Sequence, residues 1–237
     1  MSGENYYALP ALPTLDPPGT PPPVALTELP DRVPPGRARR LVSAVLLCDD
    51  LRQREAWLAD ELKTPKPAVL TLAQLRGEAH LPHGLSAGDD GDGTEEGGPP
   101  ERLPADVVWE SYVRHVKAVA GALHSSLLAE WIDFEVALRN RLVVARALAL
   151  RLDPGPYLLG EAEEDGDPAV AAAAQAWTEA PDPLAGLQAL LRTRWSWIAG
   201  REPRYSFRDE EFLAYAVKLV ILHRWHRARG PKKGRAA

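Results

Sequence analysis

The sequence predicts an all-α protein: a multi-helix bundle or funnel with an extended, Pro-rich N-terminal segment and long acidic loops. Three observations carry that prediction. Residues 127–152, LLAEWIDFEVALRNRLVVARALALRL, are free of Pro and Gly and set Leu127, Trp131, Phe134, Leu138, Leu142, Ala145, Ala149 and Leu152 at steps of three or four. At roughly 100° per residue those positions form one narrow helical stripe. The period recurs at Val108, Tyr112, His115, Val119 and Leu123, and again at Phe212, Tyr215, Leu219, Leu222 and Trp225. No segment alternates as a half-buried strand does.

Taken in order, residues 1–35 read as the extended N-terminal segment. Pro10, Pro13, Pro17, Pro18, Pro21, Pro22, Pro23, Pro30, Pro34 and Pro35 fix φ and remove donors, which argues against helix or central strand. Leu9, Leu12 and Leu15 favour a course along the protein's own surface over an SH3-type ligand. Residues 36–81 are helical: a short apolar helix over Leu41, Val45 and Leu47, then a second one through Trp57, Leu58 and Leu62, capped by Asp49 or Asp50 and ended by Pro65 and Pro67. A minor helix spans 71–79. Residues 82–104 are Gly-, Pro- and acid-rich and read as a flexible linker or loop.

Residues 105–229 form the main helical part. One helix leads into 127–152, and Asp153, Pro154, Gly155 and Pro156 stop it. After a second acidic loop, an Ala-rich helix over 168–177 opens with proline at its first turn. Another starts near Leu184 and ends in Trp195 and Trp197. The last helix opens at Ser206-Phe207-Arg208-Asp209, where a hydroxyl three residues before an acid resembles a capping box. Residues 230–237 are a basic tail.

Composition narrows the function. The net charge of −5 argues against a non-specific nucleic-acid binder. The single cysteine, Cys48, fits a reducing compartment. The N-terminus lacks a basic n-region, and Arg146 and Lys218 interrupt the two most apolar runs, so the expectation is a cytoplasmic protein, peripheral at most to a membrane.

Candidate chemistry is sparse. His80/His83 and His223/His226 have metal-like spacing, but a structural zinc site needs about four ligands and one cysteine does not complete it. Asp90, Asp92, Thr94 and Glu101 imitate a calcium loop, yet Glu95 occupies the sharp-turn position that requires Gly. No phosphate-binding Gly-rich loop, nucleophile elbow or Ser/His/Asp spacing is present. Glu135 and Arg139 are spaced as an i, i+4 ion pair worth about 0.3–0.5 kcal/mol. No catalytic, cofactor-binding or metal-binding residue is therefore assigned. Of the seven tryptophans, Trp195 and Trp197 point about 160° apart on a helix, so burying one exposes the other to solvent or a partner.

The opening Tyr6-Tyr7-Ala-Leu-Pro-Ala-Leu-Pro-Thr-Leu resembles the YYxLxxLPxL start of an uncharacterised bacterial family that accompanies the V/A-type ATPase. That family looks like a divergent relative of the ATPase's C-type subunit (d in vacuolar enzymes). Leu12 and Pro13 belong to the same motif, while Trp131, Asp133, Phe134, Asn140 and Ala147 match W-x-[DE]-F…N…A, and a W-x-W at Trp195 and Trp197 precedes a helix closing on Arg224-Trp225. The chain departs from the family where Asp followed three residues on by Asn is usual: here Asp49 is followed by Arg52. The 82–104 loop looks like a local insertion.

The resemblance implies a non-catalytic, cofactor-free helical subunit that links the central stalk to the proteolipid ring in ion transport or ATP synthesis. Its implied partners are those stalk and ring components, with Trp195, Trp197, Arg224 and Trp225 as candidate contacts, and it sits at the membrane only through the complex. The alternative is a helical protein-interaction adaptor or an ATPase assembly factor.

Overall fold

A computed structural model describes residues 3–82, 84–85, 104–160 and 167–230. Among them every regular element is helical: α1 (Asn5–Ala11), α2 (Leu29–Arg32), α3 (Arg37–Leu58), α4 (Leu72–Arg76), α5 (Pro104–Ala122), α6 (Ser126–Leu150), α7 (Pro168–Thr178), α8 (Pro183–Arg201) and α9 (Asp209–Ala228), with 3-10 turns at Leu26–Glu28 and Gly155–Tyr157. The all-α expectation holds. The imitation calcium loop, His83, the linker from 86 to 103, the acidic loop at 161–166 and the basic tail from 231 lie outside the described residues.

Helix α9 is the axis of the bundle. Phe212, Leu213, Ala214, Ala216, Val217, Leu219, Val220, Ile221, Leu222 and Trp225 are all buried, so the helix is enclosed on nearly every side. A helix apolar all round belongs in the centre of a core. α3 packs along it, α8 takes another flank, and α5, α6 and α7 complete the wall. One apolar core thus takes residues from Val24 to Trp225. No described helix is long and apolar enough to cross a membrane.

The N-terminal segment lies along the protein's own surface as expected, with Leu9, Leu12 and Leu15 packed on the core. It is less uniformly extended than the prolines suggest. Pro10 falls in the last turn of α1, and Pro30 sits in the first turn of α2, where its missing N–H costs nothing. Tyr215 donates its hydroxyl to the Pro13 carbonyl (3.0 Å), and His223 Nε2 lies 2.7 Å from the Val24 carbonyl, tying the strap to α9.

Residues 36–58 correct the sequence reading. Asp49 and Asp50 start no second helix; α3 runs unbroken through them to Leu58, and both are buried. The Asp50 carboxylate instead accepts the backbone N–H groups of Ala68 (2.8 Å), Val69 (2.7 Å) and Leu70 (2.8 Å). One turn on, Gln53 accepts from Lys66 N and donates to its carbonyl. Asp49 takes Gln53 Nε2 and Arg227, which fixes α3 to the end of α9. The 66–70 segment has no ladder of its own, so these side chains satisfy its backbone.

Local capping chemistry sets the remaining boundaries. Thr71 and Gln74 form a reciprocal capping box on α4. Between α5 and α6 the chain turns at His124 (φ 49°), and Ser125 caps α6. Asp167-Pro168 and Asp182-Pro183 open α7 and α8, the aspartate capping and the proline filling the first turn. The start of α9 differs from the expected box: Glu211, not Asp209, reaches back to accept from Ser206 N, Ser206 Oγ and Phe207 N at 2.6–2.7 Å. Asp209 and Glu210 bind Arg37 instead, and Asn5 donates to Asp209 (2.7 Å).

Replacing Asp50 by Ala leaves three N–H donors without their partner, that of Leu70 buried and those of Ala68 and Val69 part-buried, each worth up to about 1–3 kcal/mol. Asp50→Ala is expected to lose about 3 kcal/mol or more in urea unfolding, and Asp50→Asn, which keeps one acceptor oxygen, clearly less. Equal stability of Asp50→Ala and the parent chain would refute the role assigned to this side chain.

Candidate functional site

Helix α6 has two working faces. Its core stripe, Leu127, Trp131, Phe134 and Leu138, is buried as the sequence predicts. The same stripe fails beyond Leu142: Ala145 is half-buried, Ala149 and Leu152 are exposed, and Leu148 and Leu150 stand free beside them. A second stripe, Ile132, Glu135, Val136, Arg139, Val143 and Arg146, lies about 100° round the helix and faces a cavity of about 860 Å³. The cavity is walled by α3, α5, α6, α8 and α9, with Trp177 and the α7–α8 turn at its rim.

Its lining is apolar except for a group of charges. Glu135 lies at the centre and accepts a bidentate bond from Arg194 of α8, Nε at 2.6 Å and Nη2 at 2.9 Å. The expected local pair of Glu135 with Arg139 does not form. Arg139 turns to Asp106 (2.7 Å) and the Tyr157 carbonyl (3.0 Å). Burial pushes Glu135 up, but the charge and hydrogen bonds of Arg194, with Arg52 and Arg224 beyond, hold it below its ordinary value.

Arg52 and Arg224 have no carboxylate partner among the described residues. Arg52 donates to Cys48 Sγ (2.7 Å) and lies over the Trp109 ring at 5.3 Å. Arg224 makes no side-chain hydrogen bond or ion pair among the described residues, although it lines the cavity from α9. Burial, then the positive charges of Arg52 and Arg194, lower its pKa to about 9. Arg224 is partly exposed by area and lines the cavity. Five guanidinium groups, Arg52, Arg139, Arg146, Arg194 and Arg224, therefore line the wall against two carboxylates, Glu135 and Asp182, an arrangement suited to an anion. The rim depends on a close approach: a Cβ on Gly186 would come within 2.9 Å of Trp177 Cδ1, and Arg146 lies over the same ring at 5.1 Å.

The residues singled out in the sequence fall into three groups. Trp131, Phe134 and Trp197 come together, with ring centroids 4.9–5.7 Å apart, and Trp197 also carries Arg201 at 4.2 Å. Asn140 is buried and clamps Leu159, accepting from its N and donating to its carbonyl, both at 2.9 Å. Asp133 is an exposed partner of Lys117 (2.8 Å).

Tyr6 stacks on Phe207 (4.4 Å) at the far end of the bundle and Tyr7 is 81% exposed, while Leu12 and Pro13 belong to the strap beside α9. Trp197 and Trp225 are buried and Arg224 points into the cavity, which removes them as outward contacts. Trp195 is half-exposed and covered by Lys218 of the same chain at 5.3 Å.

The His223/His226 pair gathers no further ligand, and His83 of the other pair lies outside the described residues. His223 is engaged by Val24, His226 and His80 are exposed, and no three His, Cys, Asp or Glu side chains gather in ligand range among the described residues. What the sequence reading missed is the cavity, and its only signal was the arginine content of separate helices.

Glu135→Gln removes the one carboxylate that balances Arg194, and breaking such a buried pair costs about 3–5 kcal/mol. The pH dependence has a fixed sign. With a folded pKa below its ordinary 4.5, Glu135 stabilises fully above that value and loses its contribution as pH falls through the folded pKa. Denaturant unfolding between about pH 7 and pH 3 is expected to show Glu135→Gln much less stable at neutral pH, with the gap closing in acid. A gap unchanged by acid would contradict the ion-pair assignment.

Comparison of the chain with family models, with curated proteins and with solved structures finds no match.

Proposed function

We propose that this protein is a non-catalytic component of a bacterial V/A-type ATPase, similar to its C-type subunit and contributing to the coupling of central stalk and proteolipid ring. The observation that supports this reading is the convergence of the resemblance motifs. Trp131 and Phe134 of the W-x-[DE]-F pattern in α6 meet Trp197 of the W-x-W in α8 in one aromatic cluster, and Asn140 of the same pattern closes the neighbouring turn. Residues that carry a family pattern and serve packing, rather than lining a reactive centre, fit a helical coupling element. The departure at Asp49 also narrows: Asp50 followed by Gln53 supplies the acid and amide three residues apart, one position later, and those two side chains hold the 66–70 segment.

The contact surface of this reading moves. With Trp197 and Trp225 enclosed, the three most exposed aromatic residues lie toward the N-terminal end of α9: Tyr6, Tyr7 and Tyr205 are 62%, 81% and 89% exposed. Glu211 holds the Tyr205–Phe207 turn, in which Tyr205 and Phe207 both take positive φ. Exposed aromatic side chains on a fixed turn are typical of interface anchors.

Tagged protein purified from a bacterium that carries a V/A-type ATPase is expected to recover the central-stalk and ring proteins. A Tyr7→Ala/Tyr205→Ala double variant should recover several-fold less at unchanged melting temperature. Normal ATPase assembly and ion pumping in a deletion strain would sink the coupling role. Recovery of regulatory proteins without any ATPase component would favour the adaptor alternative.

A further inference from the structure

We propose that the α6-lined cavity is a binding site for an amphiphilic phosphate monoester, with the phosphate on Arg52 and Arg224 and the apolar body along Trp131, Val136 and Val143. The site stands apart from the ATPase reading and depends on none of its residues being at an interface.

Size, charge and shape each support it. About 860 Å³ lies within the range of roughly 300–1,000 Å³ in which proteins hold small organic ligands. Five arginines line the wall, Arg52, Arg139, Arg146, Arg194 and Arg224, against Glu135, Asp182 and the Asp106 that binds Arg139, which leaves an excess of two positive charges. A phosphate monoester carries about −1.5 to −2 at pH 7, which matches that excess. A carboxylate carries half as much. Arg194 spends Nε and Nη2 on Glu135, so most of the donors left for a ligand are those of Arg224 and the remainder of Arg52. Guanidinium groups bind phosphate through parallel N–H···O bonds, the geometry for which arginine is favoured over lysine.

The remaining wall is apolar and aromatic, formed by residues such as Trp131, Ile132, Val136, Leu187 and Val220. Such a wall has no use for inorganic phosphate and would hold an alkyl or aryl group. Arg146 over Trp177, with Gly186 letting α8 approach that ring, adds a further cation beside an aromatic face of the lining. Arg224 has no ion-pair partner among the described residues and shares the wall with Arg52 and Arg194, a concentration of like charge that an anion in the cavity would relieve.

The test is titration calorimetry of the full chain with octyl phosphate, inorganic phosphate, octanol and octyltrimethylammonium, at neutral pH and moderate salt. Octyl phosphate is expected to bind one per chain, at least about tenfold more tightly than any of the other three. Arg224→Met should weaken it at least about tenfold by removing the headgroup contact. Val136→Trp should do the same by filling the space for the body, and circular dichroism checks that each variant is folded. Should one variant fail to fold, the other still decides. Vesicles containing phosphatidic acid, compared with soluble octyl phosphate, distinguish a lipid source from a free one: competition by the vesicles assigns a lipid, and its absence assigns a soluble monoester. Octanol binding as tightly as octyl phosphate would overturn the proposal, as would binding unchanged in both folded variants or no binding of octyl phosphate at all.

Discussion

The bidentate pair between Glu135 and Arg194 is the interaction around which the wall of helices is arranged. It joins α6 to α8 across a space that apolar packing does not fill. In a low-dielectric interior a carboxylate and a guanidinium hold together only with good geometry, and once formed the pair is costly to break. The pair fixes the register of two long helices, places the second face of α6 toward a cavity, and sets the potential that Arg52 and Arg224 experience. With Glu135 already spoken for, the further guanidiniums are left facing the open space.

Around that cavity the rest of the fold is conventional helical packing with side chains satisfying irregular backbone. α9 fills the axis, where each fully buried aliphatic side chain contributes about 1.5–3 kcal/mol. The strap of residues before α3 is held to α9 by Tyr215 and His223, and the segment after α3 is held by Asp50 and Gln53. The segment after α3 and the stretches of the strap between its short helices lack partners in sheet or helix, and both are tied by polar side chains projecting from long helices. Arg37 adds a third tie, joining the start of α3 to Asp209, Glu210 and the Leu123 carbonyl at the end of α5.

Much of this was legible in the sequence. The apolar periods marked α5, α6 and α9, Pro168 marked α7, and Leu9, Leu12 and Leu15 marked a strap lying on the surface. The errors share one cause, a long-range partner displacing a local one. Glu135 and Arg139 are spaced for a local pair worth about a few tenths of a kcal/mol, but each finds a distant partner in a drier place. Asp49 and Asp50 have the chemistry of helix caps, yet a continuous α3 turns them toward Arg227 and residues 68–70. Trp195 and Trp197 do point apart, and the outward one is met by Lys218 of its own chain. The cavity was not legible because it needs helices far apart in the chain to stand at one place, and no period within one helix reports that.

Arg224 is where burial and like charge meet most sharply. With its pKa lowered to about 9 it is still held charged at neutral pH against the preference of the fold, so it opposes folding there, and that opposition fades only as pH rises above about 9. The most direct measurement is the unfolding free energy of Arg224→Met at neutral pH with no ligand added. Met keeps the apolar stem and removes the charge. The expected variant is at least as stable as the parent chain. A loss of about 2 kcal/mol or more would contradict an unbalanced cation in the cavity, because it would mean that Arg224 is a paired structural charge with nothing to offer an anion.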